Sequence, residues 1–370
     1  MEPLIELIST LGGEDSGKGV PYKNPSGLAS DSEGNIIVAD SGNHRVIKID
    51  QTGILNWELG RKTSEGLNAA GTAQGEFNFP QGVCVSADGS IYIADTGNCR
   101  IQKITSEGDP VIAFGSWGNG RGQFGGDGPL AITVNEIGNL LVCDSHTAVG
   151  GNHRIQKFGD DGKFIDEFGS YGVGPGQFAG AAPLREYGFD FGPDIGPGPI
   201  GPSGIVVNSQ LSHLQAMNNL GGDIYVADCD NDRILVFYGT GKFAKSITIN
   251  GIKRPRHLVM DNNGLLYVTG VHAHEPPMDV HNIDDPINWQ IEPEARWVVV
   301  VDTNGKFGLP GREIAKLGLP EVHKSIKHTE NRGLHSHGYG LAINGYDKKV
   351  LHVQGGNSIF QYTVDWSSFE

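Results

Sequence analysis

Cysteine is scarce in this chain: four in 370 residues (Cys84, Cys99, Cys143 and Cys229), with no pair at C-x-x-C spacing. That speaks against a disulfide-stapled scaffold and a thiolate metal knuckle. It leaves reduced packing cysteines and a cytoplasmic address as the expectation. Basic charge is also short, with 28 Lys and Arg against 43 Asp and Glu, a formal net charge of −15. Affinity for nucleic acid rests on Lys and Arg against phosphate, so no nucleic-acid partner is expected, although a small basic run (Lys324, Lys327, His328, Arg332) exists. Long hydrophobic runs are missing: nothing reaches the ~20 apolar residues of a membrane-spanning helix. The opening MEPLIELIST has neither a basic leader nor a long apolar segment, so no signal peptide is expected.

Glycine, by contrast, is abundant, at 56 residues, and it falls at turn positions in a repeated sentence. Residues 25–53 read PSGLASDSEGNIIVADSGNHRVIKIDQTG, and residues 80–108 read PQGVCVSADGSIYIADTGNCRIQKITSEG. Residues 129–162 and 202–241 repeat the sentence with insertions. Each copy gives a short strand after proline, an Asp/Asn-Gly turn, a β-branched strand, a second turn, a third strand, and a fourth after another Gly turn. Four strands per unit, repeated, is the arithmetic of a β-propeller. PRHLVMDNNGLLYVTG, from Pro255, begins a fifth unit whose third strand is ARWVVVVDTNG, residues 295–305. GYGLAINGYDKKVLHVQGGNSIFQY, residues 338–362, is a sixth without a fourth strand. LIELIST, residues 4–10, supplies that strand, so the ring closes by joining the two ends of the chain. The expectation is one all-β domain over 1–370: a six-bladed β-propeller of four-stranded blades. Its blades are roughly 11–60, 61–115, 116–169, 170–250, 251–320, and 321–370 with 1–10.

The stretch Asp-x-Gly-Asn-x-Arg with its flanking strands resembles the NHL repeat. It stands at Asn43-His44-Arg45, Asn98-Cys99-Arg100, Asn152-His153-Arg154 and Asn231-Asp232-Arg233. GSWGNGRGQF and GSYGVGPGQF are similar to that family's linkers between blades. The resemblance covers most of the chain, strongly to residue 241. It implies a six-bladed propeller but no single activity, since the family includes interaction and RNA-binding propellers, extracellular modules and a zinc-dependent lyase acting on peptidyl α-hydroxyglycine. In that lyase the zinc ligands are three histidines near the starts of inner strands. Here His257 and His337 fall near such starts, while Ser26, Gln81, Leu130 and Ser203 stand at the starts in blades one to four.

Asp40, Asp95, Asp144 and Asp228 precede the Asn-x-Arg residues. Their regular repetition reads as structure: each carboxylate is expected to accept from the amides of its own turn and to orient the arginine. DCDND, residues 228–232, lacks the Gly and terminal Glu of a calcium loop and follows the same grammar.

Function is expected where the repeat departs from its rule. In blade five Gly270 takes the Asp place and Trp297 the Arg place; in blade six Gly355 takes the Asp place. Strand order puts the turns between second and third strands, and the linkers between blades, on one face. That face then collects the insertions SHTAVGG (145–151) and 271–294 and the linkers 179–201 and 306–337; only 208–222 goes to the other. Nine of the thirteen histidines lie in the last 114 residues. His257, His272, His274, His281 and His337 are the candidate ligands of a divalent metal such as zinc. Glu275 or Tyr339 is the candidate acid or base. His146, Tyr187, Phe189, Phe191, Arg256 and His335 are the candidate substrate contacts. The expectation is a metal-dependent lyase or hydrolase acting on a small polar molecule or peptide. The alternative is a non-catalytic propeller that docks a protein partner, and neither reading involves a membrane.

Overall fold

The computed structural model describes residues 4–12, 21–125, 128–145, 152–179, 201–208, 221–249, 252–253, 255–272, 297–303, 312–318, 341–344, 349–355 and 358–366. The β-branched runs of the repeat form the second and third strands of each blade. Second strands such as Ile36–Asp40, Ile91–Asp95 and Ile224–Asp228 are buried at every residue. A strand covered on both faces reads as a continuous apolar run, which is why IIVAD, IYIAD and IYVAD lack alternation.

Six four-stranded antiparallel blades result. Blade one is Leu28–Ser30, Ile36–Asp40, Arg45–Ile49 and Leu55–Lys62. Blade two is Pro80–Val85, Ile91–Asp95, Arg100–Ile104 and Pro110–Phe114. Blade three is Pro129–Val134, Leu140–Asp144, Arg154–Phe158 and Phe164–Phe168. Blade four is Pro202–Val207, Ile224–Asp228, Arg233–Phe237 and Phe243–Ile247. Blade five is Leu258–Met260, Leu265–Val268, Trp297–Asp302 and Arg312–Gly318. Blade six is Leu341–Asn344, Lys349–Gly355, Ser358–Asp365 and, from the other end of the chain, Leu4–Leu11. One sequence expectation is corrected: residues 312–318, read as part of an inter-blade linker spanning 306–337, are the outer strand of blade five.

The first and last strands pair antiparallel from Leu4↔Asp365 to Leu11↔Ile359, so the ends of the chain do close the ring. The core is six apolar layers, each between neighbouring blades. Leu11, Ala342 and Ile359 of blade six pack on Leu28, Ile36, Val38, Ile47 and Ile49 of blade one. Tyr267 and Val300 of blade five pack on Leu351 and Tyr362 of blade six. Each such side chain contributes about 1.5–3 kcal/mol on burial. The layers are therefore continuous around the ring, and the chemistry must lie at the ends of the strands. All four cysteines are free thiols; Cys99, Cys143 and Cys229 are buried and Cys84 half-buried.

Candidate functional site

The repeated Asp, Asn and Arg build one joint four times. Asp95 is fully buried; its Oδ1 accepts from the Asn78 amide at 2.8 Å, and its Oδ2 accepts from Asn98, Arg100 and Gln102 at 2.9, 2.7 and 3.0 Å. The Arg100 guanidinium goes on to hold the carbonyls of Thr72, Ala73 and Glu76. Asp144 with Asn152, Arg154 and Gln156, and Asp228 with Asn231 and Arg233, repeat the pattern on the next linkers. Asp40 does so with Asn43, Arg45 and the Lys23 amide. The expectation that each Asp serves its own turn is thus corrected: the amide it accepts from belongs to the arriving linker, at Lys23, Asn78, Gly125 or Ala179. Burial pushes the carboxyls of Asp40, Asp144 and Asp228 up, against the amide and guanidinium donors that favour the ionised form. The next residue reaches the following blade: Ser41 Oγ donates to Pro80 O at 2.5 Å, Thr96 Oγ1 to Pro129 O at 2.8 Å, and Ser145 Oγ to Pro202 O. These side chains are engaged in the hydrogen bonds of the fold itself. They also put turns and linkers on one face, as strand order requires.

Blade five makes the joint differently. The pairing Val268↔Val299, continued two residues, sets Gly270 opposite Trp297, where blade one has Asp40↔Arg45. With no carboxylate there, a short backbone ladder carries the linker instead: Ile252 pairs with His272, and Lys253 with Val271.

The same blade breaks a second rule. In blade one the Ala39 amide donates to Gly27 O at 2.9 Å; in blade five the Thr269 amide donates to His257 O at 3.1 Å. His257 therefore occupies the place of Gly27, Gly82, Ala131 and Gly204, and Arg256 is the counterpart of Ser26, Gln81, Leu130 and Ser203. At this place a Cβ points at the next blade's inner strand: built on Gly27 it would stand 2.0 Å from Gln81 O, and on Gly204 2.0 Å from Arg256 O. Only glycine or alanine fits where the inner strands approach so closely. A histidine side chain is far larger than the hydrogen or methyl group that the equivalent place holds in blades one to four.

His257 is half-buried, and burial together with the neighbouring Arg256 cation lowers its pKa to about 4. At neutral pH the imidazole is therefore uncharged and has a lone pair to give, the form a metal ion requires. Arg256 is half-buried beside it; its Nε is buried without a hydrogen-bond partner, and no carboxylate pairs with its guanidinium among the described residues. A desolvated cation of this kind favours an anionic or carbonyl-bearing ligand.

Of the sequence-predicted residues, the structure brings His257 and Arg256 to the start of one inner strand and places the His272 backbone in the linker ladder of the same blade. His274, His281, His337, Glu275, Tyr339, His146, Tyr187, Phe189, Phe191 and His335 lie outside the described residues. No group of three metal-ligating side chains occurs among the described residues. Sequence reading missed three exposed aromatics on the linker face: Phe79, Tyr171 and Trp117, the last 70% exposed. Trp117 and Tyr171 occupy equivalent places, pairing with Phe124 and Phe178. The shared Gly-Ser-aromatic-Gly of the two linkers carried that signal.

Residues 22–49 and 77–104 match the family model described as NHL repeat. The chain is 28% identical over 143 residues to NHL repeat-containing protein 3 of Mus musculus, which is 38% of each chain. It is 26% identical over 246 residues to peptidyl-glycine alpha-amidating monooxygenase B of Xenopus laevis, which is 60% of this chain and 24% of that protein. The chain thus spans well under two thirds of the length of these curated relatives. A solved streptogramin B lyase superposes over 98% of both chains with a TM-score of 0.52 at 15% identity, a likeness of fold. Among the described residues no helix is long and apolar enough to cross a membrane.

Proposed function

We propose that this six-bladed propeller of NHL repeats is a metal-dependent enzyme of lyase or hydrolase type, acting on a small polar or peptide-like substrate at the channel mouth beside blades five and six. The observation that carries the reading is His257: a neutral, half-buried imidazole at a place where the other described inner strands have glycine or alanine. His337, counted back from the blade-six inner strand, and His272, His274 or His281 on the blade-five insertion are the partners we assign to it. A divalent ion such as zinc, when bound, would polarise a carbonyl or hydroxyl oxygen or lower the pKa of a bound water. Arg256 would bind a substrate oxygen. Glu275 or Tyr339 would move the proton. The similarity to an amidating monooxygenase over 60% of the chain supports a peptide-derived substrate.

Elemental analysis of protein purified without a His tag tests this directly. A stoichiometric divalent metal is expected, and it should be lost in His257→Ala combined with His337→Ala. Metal-free wild-type protein that also fails to bind added zinc would reject the reading.

A second reading rests on a different observation, the exposed Phe79, Trp117 and Tyr171 on the linker face. Aromatic side chains standing in water on a rigid scaffold are common anchors of protein interfaces, and the chain is similar to NHL repeat-containing protein 3 over 143 residues. On this reading the propeller docks a protein partner. Capture of a defined partner that is lost in Trp117→Ala, with no metal bound, would favour it.

A further inference from the structure

The blade-six sheet has a cross-strand row that no other blade shares. Ala342 pairs with His352, His352 with Gln361, and Gln361 with Ser9 of the first strand. The corresponding rows are Ala29, Ile37, Lys48 and Trp57 in blade one, and Val259, Tyr267, Val300 and Ala315 in blade five. Such rows face the next blade in the ring; the blade-six row faces blade one across the joint where the two ends of the chain meet.

The hydrogen bonds of this row run in one direction. Ser9 Oγ donates to Gln361 Oε1. Gln361 Nε2 donates to the Gln51 carbonyl of blade one at 3.3 Å and lies 3.1 Å from His352 Nε2. The Gln51 carbonyl accepts only, so the amide nitrogen must face it; the same NH2 then donates its other proton to His352 Nε2. This fixes the imidazole as neutral and protonated on Nδ1, with the backbone of its row neighbour Ala342 also bonded to the ring. His352 is fully buried. No charged group faces it among the described residues. Its row neighbours Ala342, Gln361 and Ser9 are neutral, and blade one presents Leu28, Ile36, Val38, Ile47 and Ile49 to this layer. Of the flanking carboxylates, Asp50 bonds its own turn at Thr52 and Ile54, and Glu6 is exposed on the outer strand.

We propose that His352 is an acid-sensitive latch of ring closure: a proton on Nε2 sets donor against donor at Gln361 and releases the N-terminal strand from the blade six–blade one joint. If Gln361 turns its oxygen to the protonated ring, the Gln51 carbonyl loses its donor, so either response loosens the joint. Burial lowers the His352 pKa to about 4, so the latch is closed at neutral pH and its opening, which lets the ring take up a proton, is progressively favoured as pH falls from about 6.5 towards 4.

Hydrogen–deuterium exchange of the full chain between pH 7.5 and 4.5, corrected for intrinsic rates, tests the latch. Protection of residues 4–11 should fall about tenfold per pH unit below about 6.5, relative to the blade-two strand 91–95. In His352→Gln, which keeps an acceptor and does not titrate, that fall should vanish. Should His352→Gln fold poorly, His352→Leu serves: its 4–11 segment starts less protected, but its ratio to 91–95 stays flat with pH. Equal loss across blades in the wild type, or the same pH-dependent fall in either variant, would overturn the proposal.

Discussion

Blades four and five are neighbours with the same strand order, yet they hold their linkers by different means. In blade four, Asp228 gathers Asn231, Arg233 and the Ala179 amide, and Arg233 holds the carbonyls of Val173, Gly174 and Gln177. In blade five the same places are Gly270 and Trp297, and the linker is carried by backbone pairing at Ile252↔His272. Blade four has Gly204 against the next inner strand, where blade five has His257. The faithful joint consumes its polar side chains in structure. The unfaithful one places an imidazole and a guanidinium at the start of its inner strand, the guanidinium with its Nε buried and unpaired and with no carboxylate partner among the described residues.

Breaking a faithful joint should have the largest effect. Asp95→Ala leaves the Arg100 cation, only 15% exposed in its side chain, without its carboxylate. It also takes one of two acceptors from the Asn98 and Gln102 amides, which keep the Gly71 and Glu76 carbonyls. A loss of about 3–5 kcal/mol is expected in urea unfolding, typical of a buried pair broken on one side. Gly204→Ala, with its Cβ directed at the Arg256 carbonyl, should cost about 1–3 kcal/mol by overpacking.

Acid should next distinguish the two halves. The folded-state pKa values of His257 and His352 are lowered to about 4 from 6.5. Between those pH values the unfolded chain binds more protons. For His352, which is not among the assigned metal ligands, the stability so contributed is complete above about pH 6.5 and is lost as pH falls towards 4, about 3 kcal/mol. Thermal melts at pH 7.5 and 5 should show this fall in the wild type and a smaller one in His352→Gln.

His257→Gly restores the rule of the other inner strands and should change stability by only about 1 kcal/mol or less while abolishing metal binding and turnover. Trp117→Ala should be smaller still in stability, within about 0.5 kcal/mol, and should leave turnover intact. A turnover loss with Trp117→Ala and none with His257→Gly would reverse the comparison in favour of the docking reading.

The fold was legible because its signal is redundant. The IIVAD, IYIAD and IYVAD strands, the Gly turns and the Asn-x-Arg stretches agree with one another, and the unpaired residues 4–10 could only complete blade six. The outer strand at 312–318 was missed because REIAKLG has few β-branched residues and follows a broken copy of the repeat. The linker-facing role of the aspartates was also hidden, since the hydrogen bond that the Asn78 amide donates to Asp95 joins the arriving linker to a strand end 17 residues on, a contact that sequence order does not reveal. The importance of His257 was visible as a histidine. That it replaces a glycine became clear only from the bonds shared by Ala39 with Gly27 and Thr269 with His257, because Pro-Arg-His and Pro-Ser-Gly align in sequence without showing that the third residue faces the next blade.

One comparison of metal content, between a histidine of a faithful joint and the one that breaks the rule, tests most directly whether His257 holds a metal. His44 accepts a backbone hydrogen bond from Phe79 in the blade-one turn; His257 has the glycine place in blade five. Elemental analysis of untagged wild type, His44→Ala and His257→Gly should find a stoichiometric divalent metal in the first two and none in the third. Metal retained in His257→Gly, lost equally from His44→Ala, or absent from the wild type even after zinc is added would contradict it.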